Sequence, residues 1–329
     1  MAIISDTFTR HDAVGVREDL ADVIYDISPM DTPVLSGASK ARTTQTLFEW
    51  QVDSLAAATT SNAHVEGDDI ASFPATTPTV RVGNHTQISR KLLILSDTLE
   101  AVDAAGRRSE LAYQMAKRGR ELKRDMESII FSNQGGDSGG TATARQTAAL
   151  GAWLQSNVDY NTGDGANSGH TSGVPSAGRT DGTQRALTET IFKNVLQQSW
   201  ESGANVDAMI AYAGAYNKGV ISTFNGVVTR NFDISNASPR PTAVIAAVDV
   251  YVSDYGTVRI VPHRYMRARD VYFLDMEYLA IRELRPFRVV KLAKTGDAEK
   301  RMLLTEWGLQ VKNEAALGLA ADLTTSAAP

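Results

Sequence analysis

The chain of 329 residues contains no cysteine. That excludes a disulfide framework, a thiolate nucleophile and a zinc–thiolate site. Its five histidines, His11, His64, His85, His170 and His263, are scattered without ligand spacing. Each reads as a surface or hydrogen-bonded ring, so no metal and no cofactor is expected. No apolar run approaches the roughly 20 residues needed to span a bilayer. Met1-Ala2-Ile3-Ile4 passes at once to Ser5 and Asp6, which is not a signal-peptide pattern. A soluble protein made in a cytoplasm, with no membrane partner, is therefore expected. The net charge of −5 argues against a nucleic-acid-binding surface spread over the whole molecule. There is no Gly-Lys-Ser/Thr phosphate loop. Gly163-Asp164-Gly165 with Gly169 misses the dinucleotide spacing by one and follows no strand.

Against these absences stands one long helical pattern, from Ser109 to Phe131. Leu111, Met115, Leu122, Met126 and Ile129 recur on one face at about 3.6 residues per turn. Ala112, Ala116 and Gly119 are small enough for a close neighbour. The other face carries Lys117, Arg118, Arg120, Glu121, Lys123, Arg124, Asp125 and Glu127. Ser109 is placed to cap the first turn, Glu110 sits favourably on the dipole, and Asn133-Gln134-Gly135-Gly136 ends the run. At about 1.5 Å per residue the helix is about 35 Å long.

Residues 1 to 44 have few large apolar groups. A short amphipathic turn is expected over Asp19 to Ile27, through Leu20, Val23, Ile24 and Ile27, before Ser28-Pro29-Met30-Asp31-Thr32-Pro33 breaks it. The segment reads as an arm that lies on something else. Thr46 to Asp53 and Thr79 to Leu95 have period two and read as one long antiparallel hairpin with an extended tip. Such a hairpin is marginal alone in water and needs a partner surface. A short capped helix is expected from Ser96, and another over Ala148 to Leu154. Gln134 to Arg145 reads as a flexible glycine hinge, and Asp159 to Gly182 as an exposed loop or insertion. A second compact unit follows. It has a helix capped by Thr188, a buried strand over Met209 to Ala213, a helix over Tyr216 to Phe224, and strands at Val244–Val252 and Val258–Val261. Further strands are expected at Val271–Leu274, Tyr278–Leu284, Phe287–Leu292 and Met302–Lys312, with Thr295-Gly296-Asp297 as a turn. The fold class is α+β.

Three local patterns suggest chemistry. Gly136-Asp137-Ser138-Gly139-Gly140 matches the surroundings of a trypsin-like nucleophile, which would make Ser138 a hydrolase serine. The match follows directly on a helix and lacks the Ala-Ala-His-Cys partner motif, so no catalytic residue is assigned. Glu66-Gly67-Asp68-Asp69 offers too few converging ligands for a hard cation and reads as a solvated loop tip. Arg107-Arg108 with Lys117, Arg118, Arg120, Lys123 and Arg124 forms a basic stripe. Ion pairs with Glu121, Asp125 and Glu127 explain most of it; a DNA-binding structural protein is the alternative.

Several stretches together resemble one family. They include Ser5-Asp6-Thr7-Phe8 to Leu20, the Ser28-to-Pro33 break, Glu49-Trp50-Gln51 with Asp53-Ser54-Leu55-Ala56, and Arg81-Val82-Gly83-Asn84 with Gln87-Ile88-Ser89-Arg90. They continue with Glu110-Leu111-Ala112-Tyr113-Gln114, Glu121-Leu122-Lys123-Arg124-Asp125, Val248 to Asp254, Leu284-Arg285-Pro286-Phe287 and Ala293 to Lys300. In this order they resemble the SU-ten-like major capsid proteins of tailed phages, with the Hong Kong 97 type capsid fold. The resemblance implies an N-terminal arm (1–44), an extended hairpin loop (45–95), and a peripheral domain (96–133 and 256–329) built on the spine helix. It leaves a glycine-rich insertion (134–183) and an axial domain (184–255). It implies self-assembly into hexamers and pentamers of an icosahedral or prolate head around double-stranded DNA held non-specifically, after assembly in a bacterial cytoplasm. Portal, a separate scaffold and a maturation protease are implied partners, and a decoration protein is a further candidate. The expected inter-subunit contacts are Trp50, Arg81, Arg90 and Lys91 on the hairpin, against Glu121, Asp125 and Glu127 on a neighbour's spine helix.

Overall fold

The computed structural model describes residues 31–67, 69, 73, 75–102, 109–224 and 250–326. The turn expected over Asp19–Ile27, the pair Arg107-Arg108 and the beginning of the strand expected at Val244 lie outside them. In chain order the elements are α1 (Pro33–Gly37), β1 (Ser39–Arg42), β2 (Leu47–Val52), β3 (Val80–His85), β4 (Gln87–Ser96), α2 (Asp97–Ala101) and α3 (Glu110–Ile130). Then come α4 (Leu150–Trp153), β5 (Val158–Asp159), α5 (Glu189–Glu201), β6 (Ile210–Ala213), α6 (Ala215–Ile221), β7 (Val250–Ser253) and β8 (Gly256–Pro262). The chain closes with β9 (Val271–Leu274), β10 (Leu279–Lys291), β11 (Ala298–Val311) and β12 (Gly318–Ala320).

The long helix forms where the periodicity puts it. Ser109 Oγ accepts the Ala112 N–H at 3.2 Å, and Glu100 adds a second acceptor for the first turn through the Leu111 N–H at 3.0 Å. These bonds satisfy donors that a helix start leaves open. Leu122, Met126 and Ile130 are buried. The helix packs against one face of a four-stranded sheet of order β1-β10-β11-β4. The β10–β11 hairpin turns at Gly296, whose φ of 84° suits glycine.

A six-stranded sheet, β5-β12-β9-β6-β8-β7, divides two cores. Side chains alternate across a strand, so Tyr272 and Leu274 of β9 enter the core under α3 while Val271 and Phe273 enter the core around α5. β6 does the same with Tyr212 on one side and Ala211 and Ala213 on the other. Burial on both faces explains why these strands read as continuous apolar runs. The boundary expected between 255 and 256 cuts the β7–β8 hairpin. β8 pairs in parallel with β6, so its residues belong to this sheet together with α5 and α6.

Two other expectations change. The run Thr79 to Leu95 is two strands: β3 pairs with β2, and β4 pairs with β11. The switch falls at Thr86, which is buried, donates its N–H to Thr46 O at 2.8 Å and its hydroxyl to Glu306 Oε1 at 3.1 Å. Glu306 pulls the chain from one sheet into the other. The glycine-rich region is also laced to the body. A Cβ on Gly178 would lie 2.1 Å from Asn133 O, and one on Gly135 would lie 2.3 Å from Ser176 O. Here glycine permits close approach of backbones and does not signal a hinge.

Candidate assembly surfaces

The hairpin β2–β3 is plugged into the body at its base. Phe48 is buried against Gly308, where any Cβ would lie 2.6 Å from the ring. Trp50 stacks on Phe48 (centroids 5.9 Å apart), lies tilted against Trp153 (5.4 Å), and donates Nε1–H to Lys312 O at 3.1 Å. On the other edge of β3, Gly173 exchanges two backbone bonds: Gly83 N–H to Gly173 O at 2.7 Å, and Gly173 N–H to Arg81 O at 2.9 Å. The glycine-rich segment therefore adds to the hairpin. Beyond that base the chain from Asp53 to Thr79 carries Leu55, Val65 and Phe73, exposed at 99%, 80% and 84%. Three large apolar side chains so fully in water on one loop are candidates for burial on a partner.

The residues expected to join subunits have mixed placements. Arg81 is outward and pairs with Glu49 of the same hairpin at 3.3 Å. Arg90 is exposed on β4. Lys91, on the opposite face of β4, meets Asp125 of its own α3 at 2.5 Å. Glu121 pairs with Arg118 one turn away at 2.6 Å. Glu127 is a correction. It is fully buried, accepting the Val34 N–H at 2.9 Å, the Leu35 N–H at 2.8 Å and a bond from His263 at 2.9 Å. Its carboxylate is consumed inside the protomer, tying α1 to α3. The sequence offered one sign of this: an acidic residue in the last turn of a helix opposes the dipole and needs donors of its own.

Sequence reasoning missed a buried ionic cluster. Arg179 donates to both oxygens of Asp322, at 3.2 and 3.0 Å, and Arg269 adds a bond to Asp322 at 3.0 Å. Arg267 approaches Asp270 at 3.2 Å. The cluster joins the glycine-rich segment, the loop before β9 and the end of the chain. No local pattern announces it, because Arg179, the Arg267–Asp270 stretch and Asp322 are far apart in sequence.

The alternative chemistries gain nothing. Ser138 is exposed, and among the described residues no hydrogen bond joins it to a histidine. No group of three or more potential metal ligands occurs among the described residues. No helix among them is long and apolar enough to cross a membrane. Of the basic stripe, Arg118 pairs with Glu121 and Arg124 lies over the Tyr265 ring, while Asp125 and Glu127 bond to Lys91 and to α1 and His263 instead.

Solved phage capsids share this architecture. The cyanophage A-1(L) capsid asymmetric unit superposes with a TM-score of 0.59 at 13% identity, over 94% of this chain and 98% of that one. A chain of Microbacterium phage Oxtober96 gives 0.59 at 12% identity, over 96% and 98%. The fold is that of phage capsid proteins of the Hong Kong 97 type. At the sequence level, the profile of the SU10 major capsid protein family matches residues 3–324. The major capsid protein of Escherichia phage Phieco32 is 30% identical over 343 residues, covering 95% of this chain and 96% of that protein. The chain belongs to the SU10 major capsid protein family. It is a major capsid protein of a tailed phage, a structural protein of the virion that forms the head shell.

Proposed function

We propose that copies of this chain close into hexamers and pentamers, and that the loop from Asp53 to Thr79 is the clamp between neighbours. The exposure of Leu55, Val65 and Phe73 beyond a firmly anchored base carries this reading. A rigid base aims the loop, and its apolar groups leave water only on another subunit. Arg81 and Arg90 are outward cations available to a neighbour. Trp50 and Lys91 act by holding the base and β4 to the spine helix, and Glu121 and Asp125 line the helix that a neighbour's loop would cross. The unit on α3 and the four-stranded sheet would be the peripheral domain, and the six-stranded sheet with α5 the axial one. Rings that close, then close again into a shell, meet the symmetry requirement of a heterologous contact. Assembly in the bacterial cytoplasm with portal, scaffold, maturation protease and, as a further candidate, a decoration protein, followed by non-specific enclosure of double-stranded DNA, belongs to the same reading. The test is replacement of 55–78 by a short glycine linker, with particles counted and sized by electron microscopy. Folded subunits that no longer form shells are expected; shells of normal size and yield would overturn the clamp.

A further inference from the structure

His170 sits where the glycine-rich segment meets the hairpin. Its ring centroid lies 5.2 Å from that of Trp153, which in turn meets Trp50, and Trp50 stacks on Phe48. Both ring nitrogens of His170 are buried, and neither has a hydrogen-bond partner among the described residues. The backbone here is tied on both sides. Gln155 Nε2 donates to His170 O, and three residues on, Gly173 exchanges its two bonds with β3. The ring therefore seats a strap, residues 170–173, against the aromatic stack at the hairpin base.

A cleft of about 570 Å³ opens beside the ring, between the hairpin and the body. The charged side chains that border it are Asp53, after β2, and Glu314, in the turn after β11. Glu314 already accepts the Gln155 and Ser156 N–H groups, each at 3.1 Å, and the Ser156 hydroxyl. Asp53 accepts the Ser54 N–H at 2.9 Å. β3 presents Val80 and Val82 to the cleft, while Arg81 turns outward to Glu49. An imidazolium in the seated position would thus be buried without an acceptor, which is costly. Burial holds the His170 pKa below the ordinary 6.5, and the charge of Glu314 does not offset it. A histidine lowered in this way takes up its proton more readily once the strap opens. The closed strap is favoured above the ordinary histidine range and loses ground as pH falls through it.

We propose that His170 is an acid-sensitive latch on the hairpin. Neutral, its ring stays on Trp153 and keeps the strap paired with β3. Protonated, it turns into the cleft toward Asp53 and Glu314, the Gly173 bonds to Gly83 and Arg81 open, and β3 loses the partner on its second edge. The latch acts within one subunit, whether or not the loop beyond clamps a neighbour.

Hydrogen exchange of the unassembled full chain, read by mass spectrometry at about pH 7.5 and about pH 5 and corrected for the intrinsic rate, tests it. Peptides holding Gly83 and Gly173 should exchange several-fold faster in acid, with α5 and β9 unchanged. His170→Phe keeps a ring on Trp153 but takes no proton, and should abolish the acid effect. His170→Gln, also uncharged, asks the same question should phenylalanine prevent folding. His85, at the end of β3, is likewise held below the ordinary value, by burial and then by Arg145. His85→Gln is therefore the control and should leave the effect in place. No acceleration in the wild type, one shared by α5 and β9, one that survives the His170 substitutions, or one lost in His85→Gln would each overturn the latch.

Discussion

Glu127 and His263, 136 positions apart, form one buried unit with the start of α1. His263 Nδ1 accepts the Tyr265 N–H at 3.2 Å, which leaves Nε2–H to donate to Glu127 Oε1. The carboxylate thus receives three donors, two of them from the backbone of the arm. A buried charge with this many partners is stable only while all are present. Glu127→Ala leaves buried donors without acceptors, at about 1–3 kcal/mol each. We expect at least ~3 kcal/mol lost from unfolding stability in a denaturant titration. Glu127→Gln, which keeps one acceptor oxygen, should lose less.

Asp270 sets a pH dependence of unusual sign. Burial pushes its pKa from the ordinary carboxylate value up to about 6, against the pull of Arg267 and Arg179. A carboxyl whose folded pKa is raised binds its proton more tightly in the folded state. Its contribution is therefore complete below pH ~4 and lost as pH rises through about 6. Asp270→Asn should gain on the wild type across that window, by up to about 3 kcal/mol at 1.36 kcal/mol per unit. Denaturant titrations of both proteins between pH 4 and 7 measure the difference. A constant gap would contradict this assignment.

Asp322 behaves in the opposite sense. Burial raises its pKa, but the Arg179 bonds and charge and the Gly182 and Asn161 N–H groups outweigh that and leave it lowered. Its stabilisation is present above the usual carboxylate range and is lost as pH falls through the lowered value. Asp322→Asn should therefore narrow its deficit against the wild type in strong acid, in the same titrations.

Gly178→Ala and Gly140→Ala separate two uses of glycine. The first places a Cβ 2.1 Å from Asn133 O, a clash with backbone; at Gly140 nothing lies within 4 Å. Overpacking of that severity costs about 1–3 kcal/mol or more. A depressed melting temperature is expected for Gly178→Ala, with Gly140→Ala unchanged within error.

Two ion pairs should differ in weight. Glu306 is almost fully buried between Arg145 and Arg285 and also accepts the Thr86 hydroxyl. Lys91 and Asp125 are partly exposed, at 29% and 45%. Glu306→Ala leaves the buried Thr86 hydroxyl and two partly exposed arginines without their acceptor and should cost about 1–3 kcal/mol, whereas Lys91→Ala should cost about 1 kcal/mol or less. Chemical denaturation of the unassembled subunit compares them.

Elements set by neighbours in the chain were legible without coordinates. The spacing from Leu111 to Ile129, the caps Ser109 and Thr188, the turn at Gly296 and the doubly buried run Val271–Leu274 all act within a few residues. Such patterns carry their own physical cause. The resemblance of ordered stretches along the chain then led to the fold and to shell formation. What spacing cannot express is pairing over long separations. Thr86 breaks a continuous period-two run because Glu306, 220 positions later, accepts its hydroxyl. Glu127 looks like a surface acid until α1 and His263 close over it. The glycines of 134–183 suggest slack, and only the approach of Asn133 and Ser176 shows that they permit tight packing. Local periodicity chose the elements; tertiary packing decided which charges lie inside and which strand changes sheets, because burial is a property of the whole fold.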